Sequence, residues 1–166
     1  MILETERLVL REAEPDDADF ILELLNAPGF VRGIGDRGVR TRKAAQAYIA
    51  ERMAASYAQN GFGMWIVTPK AEIEPVGLAG LVRRDVLPHV DLGYAFLERA
   101  WGRGFAVEAA AGVLDCARKR FGLKTLAAIV NPDNAASRRV LEKTGFRLID
   151  ERQLPGFEGP SAYYEV

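Results

Sequence analysis

The stretch from His89 to Val130 constrains the fold of this chain more than any other. It runs from a strand, "HVDLGYAF", through a two-glycine loop, "RAWGRGFAVEAA", into a helix from Gly104 to about Arg120, and ends in an almost wholly apolar strand, "TLAAIV". Val107, Ala110, Ala111, Leu114, Ala117 and Phe121 recur at helical spacing. A helix that crosses between two strands makes them parallel neighbours, and its N-terminus then stands at the C-terminal end of the first strand.

The flanking sequence extends this unit into one α/β domain over residues 1–166, with no Pro/Gly/Ser linker, repeat or low-complexity tract. "RLVLREA" (Arg7 to Ala13) reads as a strand and "PDDADFILELLN" as a helix, with Asp16 as its N-cap and Phe20, Ile21, Leu24 and Leu25 on one face. The loop "GFVRGIGDRGVR" leads to a helix from Thr41 to about Gln59, closed by Asn60 and Gly61. "GMWIVTP" and "PVGLAGLVRR" are strands joined by the hairpin-length "KAEIE". "NPDNAASRRVLEKTG" is a last helix ending at Gly145, and "FRLIDE" and "SAYYEV" are terminal strands.

A net charge of −1, from 22 basic and 23 acidic side chains, gives no global field to draw in nucleic acid or an anionic membrane. Any anion has to be bound locally. One cysteine, Cys116, and one histidine, His89, supply neither a disulfide framework nor a metal-ligand cluster. "MILETER" is no signal peptide and no apolar run reaches membrane-spanning length, so a soluble cytoplasmic protein is expected.

Gly102 and Gly104 let the backbone approach a ligand closely, and the N–H groups of Gly104, Phe105 and Ala106 open the helix as a site for an anion, most simply a phosphate. Arg99 and Arg103 bring positive charge to the loop. A dinucleotide fingerprint needs a small third residue where Val107 stands, and a P-loop needs Gly-Lys-Ser/Thr.

Two ordered signatures, Arg99-x-x-Gly102-x-Gly104-Phe105-Ala106 and "NPDNAASRRVLEKTGF", resemble those of the GNAT superfamily of acyl-CoA-dependent N-acyltransferases. "ETERLVLREAEPDDA", "DLGYAF", "WGRGFAVEA" and "SRRVLEKTGF" are similar to the branch that includes ribosomal-protein N-terminal acetyltransferases. The resemblance implies a twisted mixed β-sheet flanked by about four helices, with the strands at Asp91 to Phe96 and Leu126 to Val130 splayed apart. The pantetheine arm of acetyl-CoA, the implied co-substrate, would lie in that gap against the backbone of Ala95, Phe96 and Leu97, with its pyrophosphate on the glycine loop. Asn134 would cap the last helix and bond pantetheine, and Arg138 or Arg139 would meet the 3′-phosphate.

Aminolysis of a thioester needs a neutral amine, donors for an oxyanion and a proton for the thiolate. A backbone N–H around Tyr94 to Phe96 is the implied oxyanion donor. Asp91 stands where relatives carry Glu as base, with His89 as the alternative. Ser137 is the acid of choice, and Tyr94, Tyr163 and Tyr164 are held in reserve. The acceptor side is the Arg-rich loop, where Arg32, Arg37, Arg40 and Arg42 suit a carboxylate or phosphate and Asp36 suits a cationic amine. Cys116, Glu108, Glu142 and Lys143 read as structural, and Trp65 and Trp101 as sheet and loop anchors.

The expected activity is transfer of an acetyl group to a small amine or a protein α-amine, with monomer and homodimer both open. A non-catalytic acyl-CoA-binding module of the same fold is the alternative, suggested by the shortened carboxylate at Asp91. A nucleotide-binding oxidoreductase or phosphate-binding domain would require the glycine loop to be a misread fingerprint.

Overall fold

A computed structural model describes residues 1–166. Eight strands form one sheet in the order β1-β2-β3-β4-β5-β6-β8-β7, comprising β1 (Leu3–Glu4), β2 (Leu8–Arg11), β3 (Met64–Pro69), β4 (Gly77–Val82), β5 (Asp91–Phe96), β6 (Ala127–Val130), β7 (Arg147–Arg152) and β8 (Ser161–Glu165). Every neighbouring pair is antiparallel except β5 and β6, which the crossover helix α5 (Phe105–Phe121) makes parallel.

The sheet is covered on both faces. On one, α5 and α6 (Ala135–Lys143) pack over Leu10, Trp65, Leu81 and Leu92. On the other, α1 (Ala18–Asn26), α2 (Pro28–Gly33) and the rod of α3 (Arg42–Tyr48), a π-helical turn (Ile49–Ala54) and α4 (Ala55–Asn60) close over Ile66 and Leu78. Phe20, Ile21, Leu24 and Leu25 are all buried on that side, as the helical spacing predicts. No helix is long and apolar enough to cross a membrane.

Several local expectations change. The stretch read as an Arg-rich loop begins inside the short helix α2, whose start is fixed by Pro28 in its first turn. Asp16 does not cap α1. It lies in a 3-10 turn, while buried Asp17 accepts from the Glu14 amide at 2.8 Å and pairs with Arg11 at 2.7 Å. In α5 the buried face is centred on Ala109, Ala110, Val113 and Ala117, and Ala111 faces solvent, because α5 packs its small residues on the sheet. His89 precedes β5 in a loop rather than continuing the strand, and faces Glu165 at 3.7 Å. The helix at 42–60 starts as expected, with the Thr41 hydroxyl accepting from the Ala44 amide, and ends on Gly61 at φ +77°.

Candidate functional site

β5 and β6 pair at their first residues only. Asp91 stands opposite Ala127, and the Ala127 amide donates to the Val90 carbonyl at 2.9 Å. Beyond that point the two strands part, while β5 stays paired with β4 to Phe96. The Leu97 amide bonds to Val76 of the β4 side, so by antiparallel alternation the N–H groups of Tyr94 and Phe96 and the Tyr94 carbonyl face the gap. Backbone groups left without a strand partner suit a ligand that carries amides of its own.

Past the end of β5, a 3-10 turn (Glu98–Ala100) leads to the glycine cradle. Gly102 (φ +72°) and Gly104 (φ +79°) both occupy the left-handed region, which side chains resist, and a Cβ on Gly102 would meet nothing within 4 Å. Gly104 caps α5, whose first N–H groups have no carbonyl one turn earlier to bond. Glu108, in the first turn of α5, accepts from the Thr5 hydroxyl (2.6 Å), the Arg7 amide (2.7 Å) and the Arg7 Nε (2.7 Å). The Arg7 guanidinium also donates to the Arg103 carbonyl at 2.8 Å and lies 3.2 Å from where a Gly104 Cβ would be. Arg7 is thus the cation fixed against the cradle, and sequence reasoning missed it because the residue lies far upstream. Arg103 is turned to Glu72 and the Phe105 ring. Arg99 is turned to Glu23 (3.1 Å) and the Pro75 carbonyl (2.7 Å).

At the second strand of the gap, Asn134 caps α6 by accepting from the Ser137 amide at 3.1 Å. The Tyr94 and Ser137 hydroxyls share a hydrogen bond of 2.6 Å, so β5 and α6 bring two of the expected catalytic residues together. Burial pushes the Tyr94 phenol up to about 12, which keeps it protonated. Arg138 donates to the Tyr164 hydroxyl and the Pro132 carbonyl, both at 2.9 Å, whereas Arg139 is exposed. Tyr163 lies on the opposite face and donates to Glu165.

Asp91 sits at the closed end of the gap. It shares a sheet face with Gly93 and Ala95, opposite Tyr94 and on the side of α1 to α4. Its side chain is buried, with Oδ2 accepting from Arg84 Nε at 2.9 Å and Oδ1 unpartnered. Burial pushes the carboxyl up to about 6, against the opposing pull of Arg84 and the Ile129 amide.

Over the open end lies α2. A Cβ on Gly29, in its first turn, would come within 2.7 Å of the Trp101 ring, and one on Gly33, its last residue, would be 3.8 Å from Asn134 Nδ2. The Trp101 indole donates to the Phe96 carbonyl at 2.9 Å. An open cleft of about 300 Å³ borders α2, lined by Glu23, Ala27, Pro28, Leu97, Glu98 and Arg99. From α2 to the start of α3, Asp36 is taken by Arg40 (2.6 Å) and Arg42 by Asp19 (3.1 Å), so Arg32, within α2, and Arg37, in the loop, are the two of the stretch's four arginines outside any ion pair.

Residues 7–147 match the model of a protein family described as an acetyltransferase (GNAT) domain. The chain is 29% identical over 147 residues to the uncharacterized N-acetyltransferase YoaA of Bacillus subtilis, covering 88% of this chain and 82% of that one. Among solved structures, an acetyltransferase from Agrobacterium tumefaciens superposes with a TM-score of 0.82 at 27% identity, covering 99% of this chain and 92% of that one. RimL, a ribosomal L7/L12 alpha-N-protein acetyltransferase solved with coenzyme A, superposes with a TM-score of 0.84 at 17% identity over 99% and 96% of the two chains.

Proposed function

Since the chain belongs to the GNAT acetyltransferase family, we propose that it moves an acetyl group from acetyl-CoA to a primary amine by direct attack, with both substrates bound together. The observation that carries this reading is the parallel pair β5 and β6, in register only at Asp91 and Ala127 and opening toward the glycine cradle of α5. Pantetheine amides would complete the free backbone of Tyr94 and Phe96, and the pyrophosphate would lie on the amides of Gly104, Phe105 and Ala106. Gly102 and Gly104 admit it, and Arg7 stands at the cradle as a fixed cation.

The parting of β5 and β6 borders both faces of the sheet, and the chemistry divides between them. On the α1 to α4 side, Asp91 is ionised above about pH 6 and draws a proton from the incoming ammonium through water. The amine nitrogen then bonds to the thioester carbon, and a backbone N–H of Tyr94 or Phe96 holds the oxyanion. On the α5 and α6 side, Ser137 protonates the sulfur as the carbon–sulfur bond breaks, the Tyr94 phenol replaces that proton through their shared hydrogen bond, and the second proton, which the nitrogen sheds as the amide forms, passes through water to restore Tyr94. Asn134 holds Ser137 in place through the helix cap.

For the acceptor, Arg32 and Arg37 suit a carboxylate or phosphate remote from the reacting amine, with Asp36 already engaged by Arg40. A small amine or a protein N-terminal amine would satisfy this arrangement. A non-catalytic acyl-CoA-binding module remains the second reading, favoured by the buried Arg84 pairing of Asp91.

The test is a calorimetric titration with acetyl-CoA, with NAD(H) and ATP as controls, followed by turnover on panels of amines and peptides. Saturable binding of acetyl-CoA alone with turnover supports the enzyme; binding without turnover on any amine supports the module. Absence of binding would refute both.

A further inference from the structure

The helix α2 ties together the two ends of the splayed pair. β5 leads into Trp101 and β6 leads into Asn134, and the two ends of α2 rest on these two residues, at Gly29 and Gly33. Six residues of helix span about 9 Å, so α2 crosses the open mouth of the gap as a strap. At Trp101 the ring fits only because residue 29 has no side chain, since a Cβ there would lie 2.7 and 2.8 Å from two ring carbons. The same indole donates to Phe96, the last residue of β5, and adjoins Gly102 of the cradle. Half of Trp101 is exposed, so burying a hydrophobic body does not account for its placement.

From these contacts we infer that Trp101 is a positioning residue that latches α2 to the coenzyme loop, so that filling the cradle fixes the acceptor-side segment beginning at Ile34. The inference rests on the acyl-CoA reading above. Trp101 touches the cradle, the end of β5 and α2 at once, so a ligand that immobilises the loop restrains α2 through the ring. The reacting groups Ser137 and Tyr94 are reached from the other end of the strap, through Gly33 and Asn134. Arg37 follows α2 by four residues, so the cation offered to the acceptor moves with the strap.

Amide hydrogen exchange with coenzyme A as the probe tests the latch. Val31 donates to Ala27 and Ile34 to Phe30, and their amides report on α2, while the first turn of α5 reports on occupancy of the cradle. In the wild-type chain coenzyme A is expected to slow exchange at both places, by about fivefold or more at α2, the lower end of ordinary site-to-site coupling. Trp101→Ala should keep the protection of α5 and lose that of α2. Gly29→Ala, which displaces the ring from the α2 side, should do the same. Equal protection of α2 in wild type and both variants would overturn the latch, as would protection of α5 alone in the wild type, either result leaving the acyl-CoA reading intact. No binding of coenzyme A at all would overturn both.

Discussion

Replacing Asp91 by Asn should change the pH dependence of stability by an amount that follows from burial. The carboxyl is raised from 3.8 to about 6, chiefly because burial disfavours its charge. At about 1.4 kcal/mol per pH unit, this corresponds to about 3 kcal/mol. The sign follows from the direction. Between about pH 4 and pH 6 the folded protein still holds a proton that the unfolded chain has released, so stability falls as pH rises through that window and is flat again above it. Urea unfolding of the two proteins from pH 3.5 to 8 should therefore show the wild type losing about 3 kcal/mol relative to Asp91→Asn, with all of the divergence below about pH 7. Parallel curves would refute the burial argument and mean that Arg84 neutralises the carboxylate as well as water does. The same variant informs catalysis. If Asp91 is the base, wild-type kcat/KM falls as pH drops through about 6, and the variant loses that limb and recovers only at high pH.

Ser137→Ala should lower kcat by about 10²- to 10⁴-fold, the usual range for a lost acid, while coenzyme A affinity measured by calorimetry stays within a few-fold of wild type. Gly104→Trp should abolish coenzyme A binding, since φ is +79° there and Arg7 already stands 3.2 Å from the Cβ position; unaltered affinity would remove the cradle from the site. Gly80→Ala should cost about 2 kcal/mol or more in urea unfolding, because its Cβ would fall 2.1 Å from the Gly63 carbonyl oxygen within the sheet, and a neutral result would mean that β3 and β4 separate freely.

What the sequence makes legible is local. The apolar run of β6, the spacing in α5 and the cap at Asn134 each follow from neighbours along the chain, and each is found within a residue or two of its expected place. The two glycines likewise declare their backbone shape by being glycines. Pairings over distance are another matter. Tyr94 and Ser137 are 43 residues apart, and only the sheet and the packing of α6 decide that their hydroxyls meet. Arg99 and Arg103 are adjacent to the loop in sequence yet turn to Glu23 and Glu72, because a long flexible side chain takes the nearest carboxylate that the fold offers. The helix α2 escaped notice because a six-residue helix with two glycines has no repeating apolar pattern to betray it.

The triple hydrogen bonding of Glu108 has a bearing on how the chain assembles. Its partners Thr5 and Arg7 lie 103 and 101 residues upstream. During synthesis the first strands leave the ribosome long before α5 exists, and a chain halted ahead of Glu108 has nothing with which to brace the cradle. Closing so wide a loop is entropically unfavourable until sheet and helix have met. Competence to hold coenzyme should therefore arise late and in one step, and nascent chains released short of α5 should be invisible to an immobilised coenzyme A resin.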